Sequence, residues 1–380
     1  MLQTRLTKRE FLKICGKSLC ALSAAHLFYV PEITRAKMPI KGLVKTKLSP
    51  HFTPLGGGKI QCDLCPRQCR VPHGKRGFCR VRENRDGKLY TLVYGNPSVL
   101  YLDRIEREPF FHVLPGTNSL TLSTAGCNFR CKFCENWEIS QASPEDVFAQ
   151  AFSPELVVKK AKQMRAHSIA YTYAEPTIFY EYMSDIAHLA KKEGLLNVIH
   201  SNGFINQGPL RDLCKRIDAA HIDLKGFTNA CYRDLSEGER GPVLDSLKVL
   251  KQEKVHLEVS TLIIPTINDE MWVVEDLSLW VKKELGADTP LHLSRFYPLY
   301  KLQRLPPTPV SILEKARQTA LACGLEHVYI GRVPGHEAWN TFCPNCKRII
   351  IERMGYMIKE MHLTSGKCGY CGKPVPGIWA

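Results

Sequence analysis

The chain has 380 residues, 44% of them hydrophobic, and a formal net charge of +15. That is enough apolar chain for one large core with appendages, or for two domains. The charge alone would suggest nucleic acid or an anionic membrane, but residues 1–50 hold 10 Lys/Arg against 2 Asp/Glu and residues 51–119 hold 11 against 6, leaving residues 120–380 with 31 against 29. The main body is therefore almost neutral, which argues against a nucleic acid lying along it. Of the 16 cysteines, most fall into three local groups with CxxC-type spacing, which is metal geometry more often than disulfide geometry.

Residues 1–40 read as a basic targeting segment. Arg5, Lys8, Arg9 and Lys13 precede a moderately apolar run over 14–30, and Thr34-Arg35-Ala36 offers small residues for cleavage. Residues 7–13 resemble a twin-arginine export signal with Lys8 in place of the first arginine, while Lys17 interrupts the apolar run. That route carries proteins already loaded with cofactors, so cytoplasmic assembly and activity with export left open is the expectation. An uncleaved basic tail is the other reading. No later run approaches the ~18 apolar residues of a membrane span.

Residues 55–118 form a Cys-rich module. Cys62, Cys65, Cys69 and Cys79 lie in CDLCPRQCRVPHGKRGFC, a spacing that could close a tetrahedral zinc or hold an auxiliary iron–sulfur cluster. The neighbouring Arg67, Arg70, Lys75, Arg76, Arg80 and Arg82 could offset thiolate charge or face an acidic partner.

From Leu120 onward short β-rich runs alternate with amphipathic stretches. Strands are expected at 120–123, 168–173, 197–200, 220–224, 256–264, 291–296 and 328–330. Helices are expected to start at Ser153-Pro154 and Thr308-Pro309 as N-cap and first-turn pairs, to run over 177–193 and 270–285, and to stop at Gly194, Gly286 and Gly324. Such repeats make parallel βα units. The expected class is α/β, a partial (β/α)6-type barrel over 119–335. Polar groups follow the strands at Cys127, Glu175, Asn202, Lys225 and Arg295, where a barrel gathers its chemistry.

The stretch TAGCNFRCKFCEN places Cys127, Cys131 and Cys134 in one loop after the first strand. Four thiolates would close a [4Fe–4S] cluster coordinatively; three leave one iron open for a substrate atom. Zinc is the rival. This loop resembles the CxxxCxΦC signature of the radical S-adenosylmethionine (SAM) superfamily, with Phe133 at the aromatic position, and the likeness runs through residues 120–335. It implies a [4Fe–4S] cluster and SAM as cofactors. Tyr173-Ala174-Glu175-Pro176 lies where the family has GGEP, so Glu175 is implied to bind the methionine amino group although both glycines are missing. Ser201 and Asn202 fall where activase-type members contact the SAM ribose and carboxylate, with His200 replacing their Asp. Asp223 and Lys225 resemble a DxK motif, Lys225 facing the SAM carboxylate. Ile264 falls in the segment implied to touch adenine, and His292 and Arg295 resemble late-strand polar contacts. The plainer readings are that Glu175 caps the next helix, Asp223 and Lys225 form an ion pair, and His292 is a satisfied interior histidine.

Cys343-Pro-Asn-Cys346 and Cys368-Gly-Tyr-Cys371 make two knuckles in residues 336–380, a zinc-ribbon pattern for which zinc is expected, with iron or disulfides as alternatives. With both Cys-rich modules included, residues 55–380 resemble the radical SAM enzyme of the AmmeMemoRadiSam system, related to activating enzymes of pyruvate formate-lyase and other glycyl-radical enzymes. CDLCPRQC, YAEPTIFYEY, HSNGF, IDLKGF and the CGYCG…PGIW end carry that match. It implies reductive cleavage of SAM, hydrogen abstraction from a protein or peptide glycine, an electron donor such as flavodoxin or ferredoxin, and a Memo-type partner. The alternatives are a radical SAM enzyme modifying nucleic acid, and a non-enzymatic iron–sulfur or zinc scaffold or electron carrier.

Overall fold

The structure is a computed structural model that describes residues 38–379; nearly all of the export-like segment lies outside them. Its centre is an eight-stranded sheet. The strands are β1 (Val99–Arg104), β2 (Asn118–Ser123), β3 (Ser168–Tyr171), β4 (Leu196–Ser201), β5 (Ala219–Leu224), β6 (His256–Ile263), β7 (Leu291–Arg295) and β8 (Val328–Gly331). They lie side by side in chain order. From β2 to β8 every pairing is parallel, and β1 adds an antiparallel edge to β2. The two edge strands do not pair with each other, so the barrel is partial, as the strand–helix rhythm implies.

The helices that connect these strands are α1 (Pro154–Gln163), α2 (Tyr180–Lys192), α3 (Gln207–Cys214), α4 (Asn229–Ser236), α5 (Arg240–Gln252), α6 (Met271–Glu284) and α7 (Val310–Ala322). Ser153 caps α1, its hydroxyl accepting from Leu156 N–H, with Pro154 in the first turn. A cap of this kind contributes about 1 kcal/mol. The expected start at Thr308 is off by one residue: Pro309 is the N-cap of α7. Thr308 instead joins two strand ends, its hydroxyl donating to Ile263 O at 2.6 Å and accepting from Phe296 N–H at 3.0 Å.

Alternation along the strands separates two surfaces. On one face Leu122, Ile169, Ile199, Ile222, Val259, Leu293 and Ile330 are buried in the main apolar core with the helices. Truncating one of these, Leu293→Ala for example, costs ~2–5 kcal/mol. The other face carries His200, His221, Asp223, Glu258, Ser260 and His292. Register pairs His200 with His221, His221 with Glu258, and Ser260 with both Asp223 and His292. A second apolar cluster, Ile105, Phe110, Val113, Ala170, Val198 and Ala219, plugs the interior at the strands' N-terminal ends, with Ile378 packed against it.

Residues before the sheet form two small three-stranded sheets, one built from Phe52–Gly56, Lys59–Cys62 and Arg70–Val71, the other from Lys47–Leu48, Lys88–Thr91 and Arg82–Arg85. After the sheet, Thr341–Phe342, Ile349–Met354 and Met357–Met361 form another, followed by the short hairpin Leu363–Thr364 and Lys367–Cys368. Among the described residues no helix is long and apolar enough to cross a membrane.

Candidate functional site

A cavity of about 360 Å³ opens at the C-terminal ends of the strands, lined by Cys127, Cys131, Cys134, Glu175, Asn202 and Lys225, together with Ser201, Asp223 and His292. The three thiols sit on the loop that follows β2. Gly126 begins it at φ +96°, a conformation glycine adopts at little cost. A Cβ there would also lie 2.7 Å from Cys79 O and 2.7 Å from a Val81 methyl. The loop is tied to the end of α4 by Arg130 N–H to Ser236 O at 2.9 Å and Lys132 N–H to Leu235 O at 2.8 Å. Phe129 N–H donates to Cys127 Sγ at 3.3 Å, Cys131 Sγ lies 3.3 Å from Ser236 Oγ, and Cys134 Sγ lies 3.2 Å from Ser140 Oγ.

Glu175 follows β3 and is buried. Its Oε1 accepts from Thr177 N–H at 3.0 Å and Ser201 Oγ at 2.7 Å, while Oε2 accepts from Asn202 N–H at 2.9 Å. The capping role is thus real, and it holds the carboxylate at the cavity wall. Tyr173, at the place of the first family glycine, has φ +62°. The backbone takes the left-handed turn without the glycine, at a cost of roughly 1–2 kcal/mol. The Asn202 side chain donates to Asn128 Oδ1 at 2.8 Å, linking the end of β4 to the cysteine loop.

Asp223 and Lys225 do form an ion pair, 2.6 Å apart, and both line the cavity. Burial disfavours the Lys225 ammonium, yet Asp223 and the thiols of Cys131 and Cys134 raise its pKa above the ordinary lysine value. Asp223 is correspondingly held well below the usual carboxylate range: burial opposes this, and Lys225 and His200 outweigh it. Ser260 Oγ also donates to Asp223.

His292 lines the cavity while its Nε2 lies 2.7 Å from Glu258 Oε2. Glu258 also accepts from the N–H groups of Phe111 and His112 at 3.0 and 2.8 Å, anchoring the segment that plugs the interior. Ile264 and Arg295 are not among the residues lining the cavity. Ile264 is buried and its N–H donates to Asn268 Oδ1 at 2.6 Å. Arg295 Nε donates to Thr308 O at 2.8 Å, with the guanidinium 5.1 Å from the Tyr297 ring.

Several lining residues were not singled out from the sequence, among them Glu108, Ser260, Arg332 and Arg107. Burial pushes the Glu108 carboxyl up to about 7, against a hydrogen bond from Thr121. A signal for Ser260 existed: in His256-Leu-Glu-Val-Ser260 every second residue of an otherwise apolar strand is polar.

The two other cysteine groups differ from each other. Cys343 Sγ lies 3.6 Å from Cys371 Sγ, and Cys346 Sγ lies 3.7 Å from Cys368 Sγ. All four of these sulfurs fall within 4.8 Å of one another. Neither Cys127, Cys131 and Cys134 nor any three of Cys62, Cys65, Cys69 and Cys79 are drawn that close.

Residues 121–277 match the family model described as the radical SAM superfamily. An uncharacterized protein of Methanocaldococcus jannaschii is 42% identical over 85% of this chain and 97% of its own length. The pyruvate formate-lyase-activating enzyme of Clostridium pasteurianum is 24% identical over 41% of this chain and 66% of that enzyme. Among solved structures, a radical SAM methyltransferase from Sphaerobacter thermophilus aligns with TM-score 0.47 and 14% identity, covering 84% of this chain and 82% of that one. The cysteine loop, the carboxylate and amide that flank it, the parallel sheet and the family-model match agree: the chain belongs to the radical SAM superfamily.

Proposed function

We propose that this chain is an enzyme that binds a [4Fe–4S] cluster through Cys127, Cys131 and Cys134 and uses it to cleave SAM reductively, abstracting hydrogen from a further substrate. The observation that carries the reading is the placement of three thiols, with no fourth among the described residues, on the wall of one cavity that also presents a fixed carboxylate, an amide and an ammonium. The donor set fits the cluster. Thiolates at ~2.3 Å around one zinc would sit ~3.8 Å apart, and those around a cubane ~6–6.5 Å apart; these three lack the tight spacing. When bound, such a cluster supplies one electron to the sulfonium, releasing methionine and a 5′-deoxyadenosyl radical.

The protein's part is placement and charge. Glu175, fixed by three donors, presents negative charge where a substrate ammonium can approach. Lys225 supplies a positive charge beside Cys131 and Cys134, suited to a carboxylate and to offsetting the thiolates. Ser201 and Asn202 hold the β4 end against Glu175, and the Asn202 side chain ties it to Asn128 of the cysteine loop. The cavity volume falls in the range of about 300–1,000 Å³ common to small-molecule sites.

The similarity to pyruvate formate-lyase-activating enzymes favours a protein or peptide glycine as substrate, an electron donor of the flavodoxin or ferredoxin class, and, by resemblance to the AmmeMemoRadiSam branch, a Memo-type partner. The C-terminal sulfurs at 3.6 and 3.7 Å support zinc at Cys343, Cys346, Cys368 and Cys371. The test is anaerobic reconstitution with iron and sulfide, then dithionite and SAM, followed by quantification of 5′-deoxyadenosine. The wild type should form it and Cys131→Ala should not; formation by the variant overturns the assignment.

A further inference from the structure

The four N-terminal thiols are left over by that reading, and their geometry separates the two metals that their spacing allows. Cys62 N–H donates to Cys69 O at 2.9 Å, which brings the two chain segments together. Cys62 and Cys79 are buried, and Cys65 and Cys69 half-buried. No three of these four sulfurs lie within 4.8 Å of one another. The C-terminal four, in the same chain, do meet that spacing. A mononuclear zinc needs sulfurs ~3.8 Å apart, whereas a cubane spreads them to ~6–6.5 Å.

The group is also built into the wall of the three-cysteine loop. The Cys79 carbonyl closes on Gly126, the residue before Cys127, so tightly that a Cβ there would stand 2.7 Å from it. Bond lengths and that contact bound Cys79 Sγ and Cys127 Sγ to within about 16 Å. Arg130 joins the two groups: one guanidinium nitrogen donates to Cys127 O at 3.0 Å, the other to Phe78 O, next to Cys79. Arg67, between Cys65 and Cys69, donates from Nε to Asn128 O at 2.5 Å. Two cations and a shared backbone wall thus connect the sites.

We propose that Cys62, Cys65, Cys69 and Cys79 hold a second, cubane-type iron–sulfur cluster rather than zinc, positioned to hand electrons to the three-cysteine site. The relay role rests on the function proposed above; the identity of the metal does not. In the relay an external one-electron donor of the ferredoxin or flavodoxin class is oxidised by one electron. The four-cysteine site takes that electron up and releases it to the three-cysteine site, and no bond is made or broken.

The test counts metal and sulfide in anaerobically reconstituted full-length protein and in Cys127→Ala/Cys131→Ala/Cys134→Ala and Cys65→Ser/Cys69→Ser variants. The expected wild-type content is about eight iron, eight sulfide and one zinc per chain, falling to about four iron and four sulfide in the triple variant with zinc unchanged. After dithionite the triple variant should show the EPR signal of a reduced cubane, unaltered by SAM. Two zinc per chain in the wild type, or a triple variant with no iron or only about two, overturns the proposal. If the triple variant does not fold, the wild-type zinc count decides. A triple variant whose iron equals that of the wild type faults the three-cysteine assignment instead, and Cys65→Ser/Cys69→Ser should then lose all its iron.

Discussion

Arg82 and Glu181 carry the sharpest energetic prediction. Arg82 lies on the short strand Arg82–Arg85 and Glu181 in the first turn of α2. Both are buried, at 2% and 4% side-chain exposure. The guanidinium donates twice to the carboxylate, at 3.0 and 2.6 Å, and once to Ser49 Oγ at 3.0 Å. Deleting one partner of a buried pair leaves an uncompensated charge and costs ~3–5 kcal/mol. Glu181→Gln and Arg82→Met should each lose that much in anaerobic urea melts, whereas Arg82→Met/Glu181→Leu removes both charges and should recover most of it. The pH dependence follows from the carboxyl. Burial opposes ionisation, but Arg82 prevails and holds the Glu181 pKa below its ordinary 4.5. Its stabilisation is therefore complete above the unfolded value and is lost as pH falls through the lower, folded value. The wild type should lose stability below pH 4.5 in a way that the double variant does not share. Single variants within 1 kcal/mol of the wild type, or a double variant as unstable as the singles, would refute the reasoning.

The remaining predictions address the cavity and the cysteine modules. Glu108, pushed from 4.5 up to about 7, favours folding when protonated; that contribution is complete below 4.5 and is lost as pH rises through about 7. Glu108→Gln should abolish a pH-dependent loss of about 3 kcal/mol, seen as a flatter profile of urea midpoint against pH. Gly126→Ala forces a Cβ into Cys79 O at 2.7 Å and should cost at least ~1–3 kcal/mol and reduce iron retention, measured as iron per chain after reconstitution. Lys225→Met removes the cation paired with half-buried Asp223, which keeps His200 3.1 Å away, and should weaken SAM binding by calorimetry; unchanged affinity would remove Lys225 from the SAM site. Cys343→Ser should release the C-terminal metal and expose the tail to protease while leaving iron at Cys127, Cys131 and Cys134 intact.

Local signals carried much of this architecture. The seven expected strand cores all fall inside or overlap β2 to β8, because each combines β-branched or apolar runs with a turn residue after it. The C′ positions of Gly194, Gly286 and Gly324 follow from the need for a left-handed residue after a helix. What the sequence hid depends on distant partners. Helices α4 and α5 are short or begin without a side-chain cap at Glu239. The plug formed by Ile105, Phe110 and Val113 has no periodicity of its own, and depends on Glu258 from β6 to receive the N–H groups of Phe111 and His112. The Arg82–Glu181 pair joins residues 99 positions apart. In the sequence Arg82 reads as one of the basic residues that offset thiolate charge or face an acidic partner; burial and a carboxylate 2.6 Å away make it a bolt within the fold.

The same side chains satisfied the plain and the functional readings together, for a physical reason. Glu175 caps the turn after β3 and Lys225 pairs with Asp223, each interaction fixing a charge that faces the cavity. A charge left mobile in a cavity would collapse onto the nearest counter-charge or be neutralised by a pKa shift. Held by three donors, Glu175 keeps its carboxylate in place without filling every acceptor site, since two oxygens offer about four lone-pair positions. The cost of ordering is met on folding, so a ligand ammonium meets a site that need not reorganise. Pre-organisation of this kind makes a structural cap and a ligand contact two uses of one carboxylate, and Glu175→Gln separates them. The amide can still accept from Thr177 N–H, so the turn should persist by circular dichroism while affinity for a cationic ligand falls by at least about tenfold.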